Sequence, residues 1–240
     1  MVAVIEKDYI RVEYTGSVDG IVFDTTSAEE AKNAGIENPS ATYGPILVRV
    51  GSGHVIPGLD DALVGREVDE EAEIDVPPEK GFGVYDRELV EGVPLKQFPE
   101  KIQVGSRVRG ENREGIVRDI IGSRAIVDYN NEFAGKTLHY RFRVVEVVED
   151  ELKRAKGLIR LYGGRDLEPS IEEGTMNIEL PPGIGYDRRW MLWKPTIVRD
   201  IFEAAPSIGE IRLFEVMKRP EPQPELELVE EEAAGASSAE

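Results

Sequence analysis

The chain offers few of the groups that usually make and break bonds. Its 240 residues contain no cysteine, which excludes thiolate nucleophiles, thiolate metal sites and disulfides. Only two histidines occur, His54 and His139. Neither has a neighbour suited to joint metal binding, and two leave little for a catalytic triad. His54 reads as an exposed turn residue. His139 lies between Leu138 and Tyr140 in an alternating run, so it is expected to face solvent or a partner layer. Gly51-Ser52-Gly53 could suggest a phosphate loop, but no Gly-Lys-Ser/Thr follows and a plain turn is expected. No metal and no cofactor are expected. What remains is a set of aromatics at strand spacing, Tyr14, Phe23, Phe82 and Tyr140, which on period alone are either core or pocket.

The elements that must carry these rings read as follows. Ile10, Val12 and Tyr14 alternate with charged residues, as in a half-buried strand. Asp19-Gly20 is a turn signal, and Ile21-Val22-Phe23 resumes the strand. Residues 27–45 are polar, with room for a short helical turn. Residues 46–50 form a strand closed by Gly51-Ser52-Gly53. A short helix is expected over 59–64, with Leu59, Ala62 and Leu63 on one face and Gly65 as its stop. Ala72, Ile74 and Val76 alternate in the next strand, before which the acidic run 67–73 reads as a solvated strand and turn.

From about 88 to 128 the texture changes. Pro94 and Pro99 are expected to precede short strands, and 115–128 reads as a hairpin turning at Gly122-Ser123. This stretch holds many apolar residues for a unit of some forty, more than so small a core can bury, so some are expected to face out. Residues 137–147 form a long strand expected to return to the first sheet. Leu152, Ala155, Ile159 and Tyr162 then follow helical spacing up to Gly163-Gly164. Met176, Ile178 and Leu180 suggest a strand, and Pro195 the first turn of a helix carrying Ile197, Ile201 and Phe202. Residues 211–217 form a last strand. The cluster Trp190, Met191, Leu192 and Trp193 is either the core of this C-terminal unit or an exposed patch. Residues 219–240 read as a disordered acidic tail.

Composition narrows the function classes. Acidic residues outnumber basic ones 47 to 29, for a net charge of −18. No basic stripe suited to nucleic acid stands out, so the acidity reads as solubility and self-repulsion. No apolar run is long enough for a transmembrane helix, and no secretory signal is visible at the start. A cytoplasmic setting is expected.

Three segments together carry a resemblance. The first is Val12-Glu13-Tyr14-Thr15-Gly16 with Asp19-Gly20 and Phe23-Asp24-Thr25-Thr26. The second is the run from Val50 through Gly51-Ser52-Gly53-His54-Val55-Ile56-Pro57-Gly58-Leu59-Asp60 to Gly65. The third is Pro77-Pro78-Glu79-Lys80-Gly81-Phe82-Gly83. Their order and spacing resemble the FKBP-type peptidyl-prolyl cis-trans isomerases. The run from Asp128 to Leu138 is similar to the segment that re-enters the core in SlyD-like members, which carry an insert-in-the-flap domain with chaperone activity. The 27–45 stretch and the extra C-terminal unit look like the archaeal long form.

The resemblance implies an α+β fold: an FKBP-like bent antiparallel sheet around a short helix, with an inserted small β domain and a C-terminal α+β domain. The implied boundaries are 1–87 with 129–148 for the isomerase domain, 88–128 for the insert, 149–218 for the C-terminal domain and 219–240 for the tail. It implies a shallow apolar pocket in which Asp24, Tyr14 and Phe82 are catalytic and Phe23, Ile46, Val55, Ile56, Leu59 and Tyr140 bind substrate, with Leu59 as the floor. Leu59 and Phe82 stand where other members have Trp and Tyr, so macrolide inhibitors are expected to bind weakly.

The implied function is prolyl isomerisation in folding proteins, with chaperone activity from the insert. The partners are unfolded or partly folded proteins and proline-containing peptides, with no nucleic acid, no membrane, and a homo-oligomer through the C-terminal domain as a further option. The alternative is a holdase or adaptor whose isomerase unit is weak or inactive.

Overall fold

The computed structural model describes residues 3–39, 41–110 and 113–219; the expected acidic tail, from residue 220 onward, lies outside the described residues. The first ring-bearing strand, β1 (Tyr9–Val18), turns at Asp19-Gly20 into β2 (Ile21–Thr25). Gly20 has φ +79°, which the tight reversal needs and which a side chain would resist. The polar stretch that follows holds α1 (Ala28–Asn33), started by Ser27, whose side chain accepts from the Glu30 N–H. Next come β3 (Ile46–Arg49), α2 (Pro57–Leu63) and β4 (Glu71–Val76). Helix α2 starts two residues earlier than the apolar spacing suggests, because Pro57 fits the first helical turn.

The chain then leaves for a separate sheet, β5 (Val90–Pro94), β6 (Arg107–Arg109), β7 (Glu114–Ile121) and β8 (Arg124–Asp128). All its neighbours are antiparallel, in the order β5-β8-β7-β6. The β7–β8 hairpin turns at Gly122, as expected, with φ +59°. Pro94 closes β5 instead of preceding a strand. Strand β5 is an edge, where the missing N–H costs no ladder bond inside the sheet. Among the described residues, only Val117, Ala125 and Val127 form this sheet's buried hydrophobic core, while Val104 and Ile121 face out.

Strand β9 (Leu138–Val147) returns to the first sheet and pairs with both β1 and β4. The order is β2-β1-β9-β4, with β3 also on β1. The register places Tyr14 opposite Phe142 and Gly16 opposite Tyr140. One face buries Ile10, Val12, Leu138, Tyr140, Phe142 and Val144 against Leu59 and Leu63 of α2. Each leucine contributes about 1.5–3 kcal/mol by leaving water. The first turn of α2 lies so close to β4 that a Cβ on Gly58 would stand 2.4 Å from Val76.

The last third comprises α3 (Glu151–Gly163), β10 (Ser170–Glu172), β11 (Thr175–Leu180), α4 (Arg188–Ala204) and β12 (Glu210–Glu215). Strand β11 pairs antiparallel with β10 and parallel with β12. Gly164 ends α3 in the left-handed conformation, where the double glycine predicts a stop. The expectation for Pro195 is corrected. It lies inside α4, because Asp187 caps the helix eight residues upstream by accepting from the Arg189 and Trp190 N–H groups. The aromatic cluster on α4 divides: Trp190 is buried against Gly163, while Met191, Leu192 and Trp193 are exposed. Tyr9 and Leu47 of the first sheet belong to the core of this last unit. Its α3 crosses β3 at Gly157, where a Cβ would come within 2.5 Å of Leu47. The whole is a mixed α+β fold of mainly antiparallel sheets and few helices.

Candidate functional site

Three strands of the first sheet and two segments beside it bring aromatic rings to one place. Phe23 on β2 lies 6.0 Å, centroid to centroid, from Phe82 after β4 and 6.0 Å edge-on from Tyr140 on β9. Tyr14 on β1 lies 5.8 Å from Tyr140. Phe133, in the loop that leads back to β9, sits 4.4 Å from Phe23 and 5.4 Å from Phe82. These edge-on and tilted pairings are the favourable arrangements for aromatic quadrupoles.

The rings can gather because residue 16 has no side chain. A Cβ there would stand 2.8 Å from Tyr140 Cε1 and 3.0 Å from Phe23 Cζ. Leu59, 1 % exposed, lies beneath in the same core, with half-buried Val55 and Ile56 just before α2. Ile46 packs on that core from β3. It also lines the groove between β3 and α3, on the flank toward the C-terminal unit.

One carboxylate enters this apolar setting. Tyr14 Oη donates to Asp24 Oδ2 at 3.0 Å. Asp24 keeps an exposed edge, but withdrawal from water pushes its carboxyl pKa up, opposed by hydrogen bonds from the Tyr14 hydroxyl and the Thr25 N–H. Burial likewise raises the Tyr14 hydroxyl well above its ordinary value, and the Asp24 charge adds to the effect. Tyr140 is raised for the same two reasons. Both hydroxyls therefore stay protonated at neutral pH.

The second sheet joins the first beside these rings. Its two stems are tied together by Gly135 N–H to Gly83 O (2.8 Å), by Asp86 N–H to Asn130 Oδ1 (2.9 Å) and by Asn130 Nδ2 to Asp86 O (2.8 Å). Asp128, 3 % exposed, accepts from Tyr85 Oη, Arg118 Nε and both nitrogens of Asn130. Burial alone would raise its pKa, but these donors hold it below the usual carboxylate range.

Of the residues singled out from sequence, the structure brings Tyr14, Phe23, Asp24, Phe82 and Tyr140 together, with Val55, Ile56 and Leu59 adjoining through the same core. Ile46 stands to one side. Phe133 was missed as a site residue, although it lies in the re-entry run; its signal is an aromatic in a polar loop that returns the chain to the ring-bearing strand. His139 is exposed as expected, with Nδ1 2.9 Å from Asp75. The expectation for His54 is corrected. It is half-buried and bridges to the C-terminal unit, because α3 and α4 cover the turn that carries it. No group of three or more His, Asp or Glu suited to a metal occurs among the described residues. No helix of the described residues is long and apolar enough to cross a membrane.

Aromatic rings gathered around one hydrogen-bonded carboxylate suit the binding of an apolar segment. The family model described as FKBP-type peptidyl-prolyl cis-trans isomerase matches residues 3–108, and FKBP26_C-terminal matches 151–218. A short-type peptidyl-prolyl cis-trans isomerase of Methanocaldococcus jannaschii is 35 % identical over 151 residues, covering 61 % of this chain and 96 % of that protein. The FKBP-type isomerase SlyD of Treponema pallidum is 40 % identical over 120 residues, 48 % of this chain and 68 % of its own. An FKBP-type 16 kDa isomerase of Escherichia coli is 28 % identical over 145 residues, 58 % and 89 % respectively. The chain therefore belongs to the FKBP-type peptidyl-prolyl cis-trans isomerase family and is an enzyme of that class.

Proposed function

We propose that the ring cluster around Gly16 is the isomerase site and that it acts on prolines in folding chains by removing the prolyl amide from water. Rotation about a peptide bond faces ~18–20 kcal/mol, and X-Pro bonds isomerise in tens to hundreds of seconds. The planar amide, with its resonance intact, is the more polar and better hydrated form. Aromatic walls that exclude water disfavour it relative to the twisted one. A thousandfold acceleration needs about 4 kcal/mol at ~1.4 kcal/mol per decade.

Asp24 and Tyr14 orient the substrate. No proton has to move, and a raised carboxyl pKa is compatible with that role. Phe82 forms a wall without a hydroxyl, which supports weak macrolide binding. Phe133 leans on Phe23 and Phe82 and adds a further aromatic face to the site. The observation that carries this reading is the packing of Phe23, Phe82 and Tyr140 over a glycine, with Phe23, Phe82 and Gly16 inside the segment that matches the family.

The domain reading assigns 1–87 and 129–148 to the isomerase, 88–128 to a chaperone insert and 149–218 to a C-terminal domain. The small core of the second sheet and its outward Val104 and Ile121 support capture of unfolded chain. Its stems lie next to Phe82 and Phe133, so a captured chain has a high effective concentration at the site. The exposed Met191, Leu192 and Trp193 support self-association through α4. Absence of cysteine suits a cytoplasmic setting.

The test compares the full chain with a variant lacking 88–128, on a proline tetrapeptide and on a protein whose refolding is limited by proline isomerisation. Peptide activity is expected to persist, and protein refolding to slow by at least tenfold. Equal loss on both substrates would reduce the insert to a scaffold, and no peptide activity in the full chain would favour the holdase alternative.

A further inference from the structure

The turn between β3 and α2 supplies Val55 and Ile56 to the site and is held from two sides. On one side Asp60, itself buried, accepts from the Gly51 N–H (2.9 Å) and the Gly53 N–H (3.3 Å). On the other, His54 Nδ1 accepts from the Arg49 N–H at 3.1 Å. The opposite ring nitrogen, Nε2, lies 3.0 Å from Tyr162 Oη on α3, and Tyr162 donates to Asp200 Oδ2 on α4 at 2.7 Å.

Only one proton arrangement satisfies all three contacts. The Asp200 carboxylate is an acceptor only, so it takes the single hydroxyl proton of Tyr162. Tyr162 Oη must then accept from Nε2–H, which leaves Nδ1 bare to accept from Arg49. His54 is thus neutral and held in one tautomer by a chain that begins in the C-terminal unit.

We propose that Tyr162 is a positioning residue for the isomerase site: acting through His54, it fixes the Val55–Ile56 segment, so that the C-terminal unit tunes substrate binding across the junction. This rests on the reading that Val55 and Ile56 line the site. The junction is a cleft of about 380 Å³ that Tyr9, Leu158, Arg199 and Glu203 also line. Its charges are largely paired, Arg49 with Glu203 and Arg199 with Asp200. Burial holds the His54 pKa below its ordinary value, with Arg49 acting in the same direction and Asp200 and Asp60 opposing. Protonation would turn Nδ1 into a donor facing the Arg49 N–H. Acid therefore breaks the chain at its other end.

The test uses the full chain and Tyr162→Phe, which keeps the ring stacked on Trp193 at 5.2 Å and removes only the hydroxyl. KM for a proline tetrapeptide is expected to rise about threefold to tenfold, the size of one neutral hydrogen bond, with kcat within about twofold. His54→Ala should raise KM similarly, and the double variant no further than either single one. Wild-type KM should also rise as pH falls through the His54 titration, and His54→Ala should lose that dependence.

In parallel, the Val55 and Ile56 amide resonances are followed by NMR; they are expected to shift in Tyr162→Phe while those of Val117 in the second sheet stay in place. Active enzyme with unchanged KM, or additive single effects, overturns the proposal and leaves the isomerase reading standing. If the full chain does not turn over the peptide, the isomerase reading fails instead, and the amide shifts alone decide: movement at Val55 and Ile56 supports positioning by Tyr162, and none overturns it.

Discussion

The demand that residue 16 carry no side chain can be tested with a single methyl group. In Gly16→Ala the new Cβ would start 2.8 and 2.9 Å from Tyr140 and 3.0 Å from Phe23. Ordinary carbon contacts lie at ~3.5–4.0 Å, so the rings must retreat by roughly half an ångström or more. Overpacking of this kind costs about 1–3 kcal/mol of stability. The displaced rings are the proposed walls, and misplacement by about 1 Å can cost as much as ~100-fold in rate. We expect kcat/KM on a proline tetrapeptide to fall at least tenfold, while urea denaturation reports a loss of about 1–2 kcal/mol.

Gly20→Ala separates the two effects. Gly20 also sits on the β1–β2 hairpin, but its φ of +79° makes the substitution a backbone strain, and nothing lies within 4 Å of its would-be Cβ. It should cost a comparable ~1–2 kcal/mol with activity unchanged. If Gly16→Ala loses stability but keeps full activity, the rings around Gly16 are core and not the site, and the reasoning fails.

The remaining expectations are shorter. Asp24→Ala should lower the isomerisation rate several-fold or more with the fold intact; an unchanged rate in a proline-limited refolding assay removes Asp24 from the mechanism. Because the Asp24 carboxyl titrates above its unfolded value, the folded state holds the extra proton in that window, and stability from this group falls as pH rises through the folded pKa. Asp24→Asn should therefore be more stable than wild type at neutral pH, with the gap closing as pH drops toward the ordinary aspartate value; thermal melts at several pH values check the sign. Asp128→Ala should loosen the second sheet at its stems by about 1–3 kcal/mol, since it removes the buried acceptor that Tyr85, Arg118 and Asn130 share, and hydrogen exchange should rise at Val117 and Val127 before it rises at Val12.

Much of the first sheet is legible in the chain itself, because strand period and turn residues are local properties. Ile10-Val12-Tyr14 alternate, Asp19-Gly20 reverses the chain, and Leu138 to Val144 announce a long strand that returns to the first sheet. The ordered motifs around Tyr14, Asp24, Val55-Ile56 and Phe82 identify the family for the same reason. Helix starts were less legible: Pro195 resembles a first-turn residue, and only the Asp187 cap, set by folding, moves the start upstream.

What no local pattern could decide depends on which segments meet. Phe133 becomes part of the ring cluster only because the second sheet's stems are tied beside Phe82. His54 leaves the solvent only because α3 lies down on β3 at Gly157 and presents Tyr162. Such contacts join residues up to about a hundred positions apart, and their energies are set by distance and burial after the chain has folded, not by the spacing of residues along it.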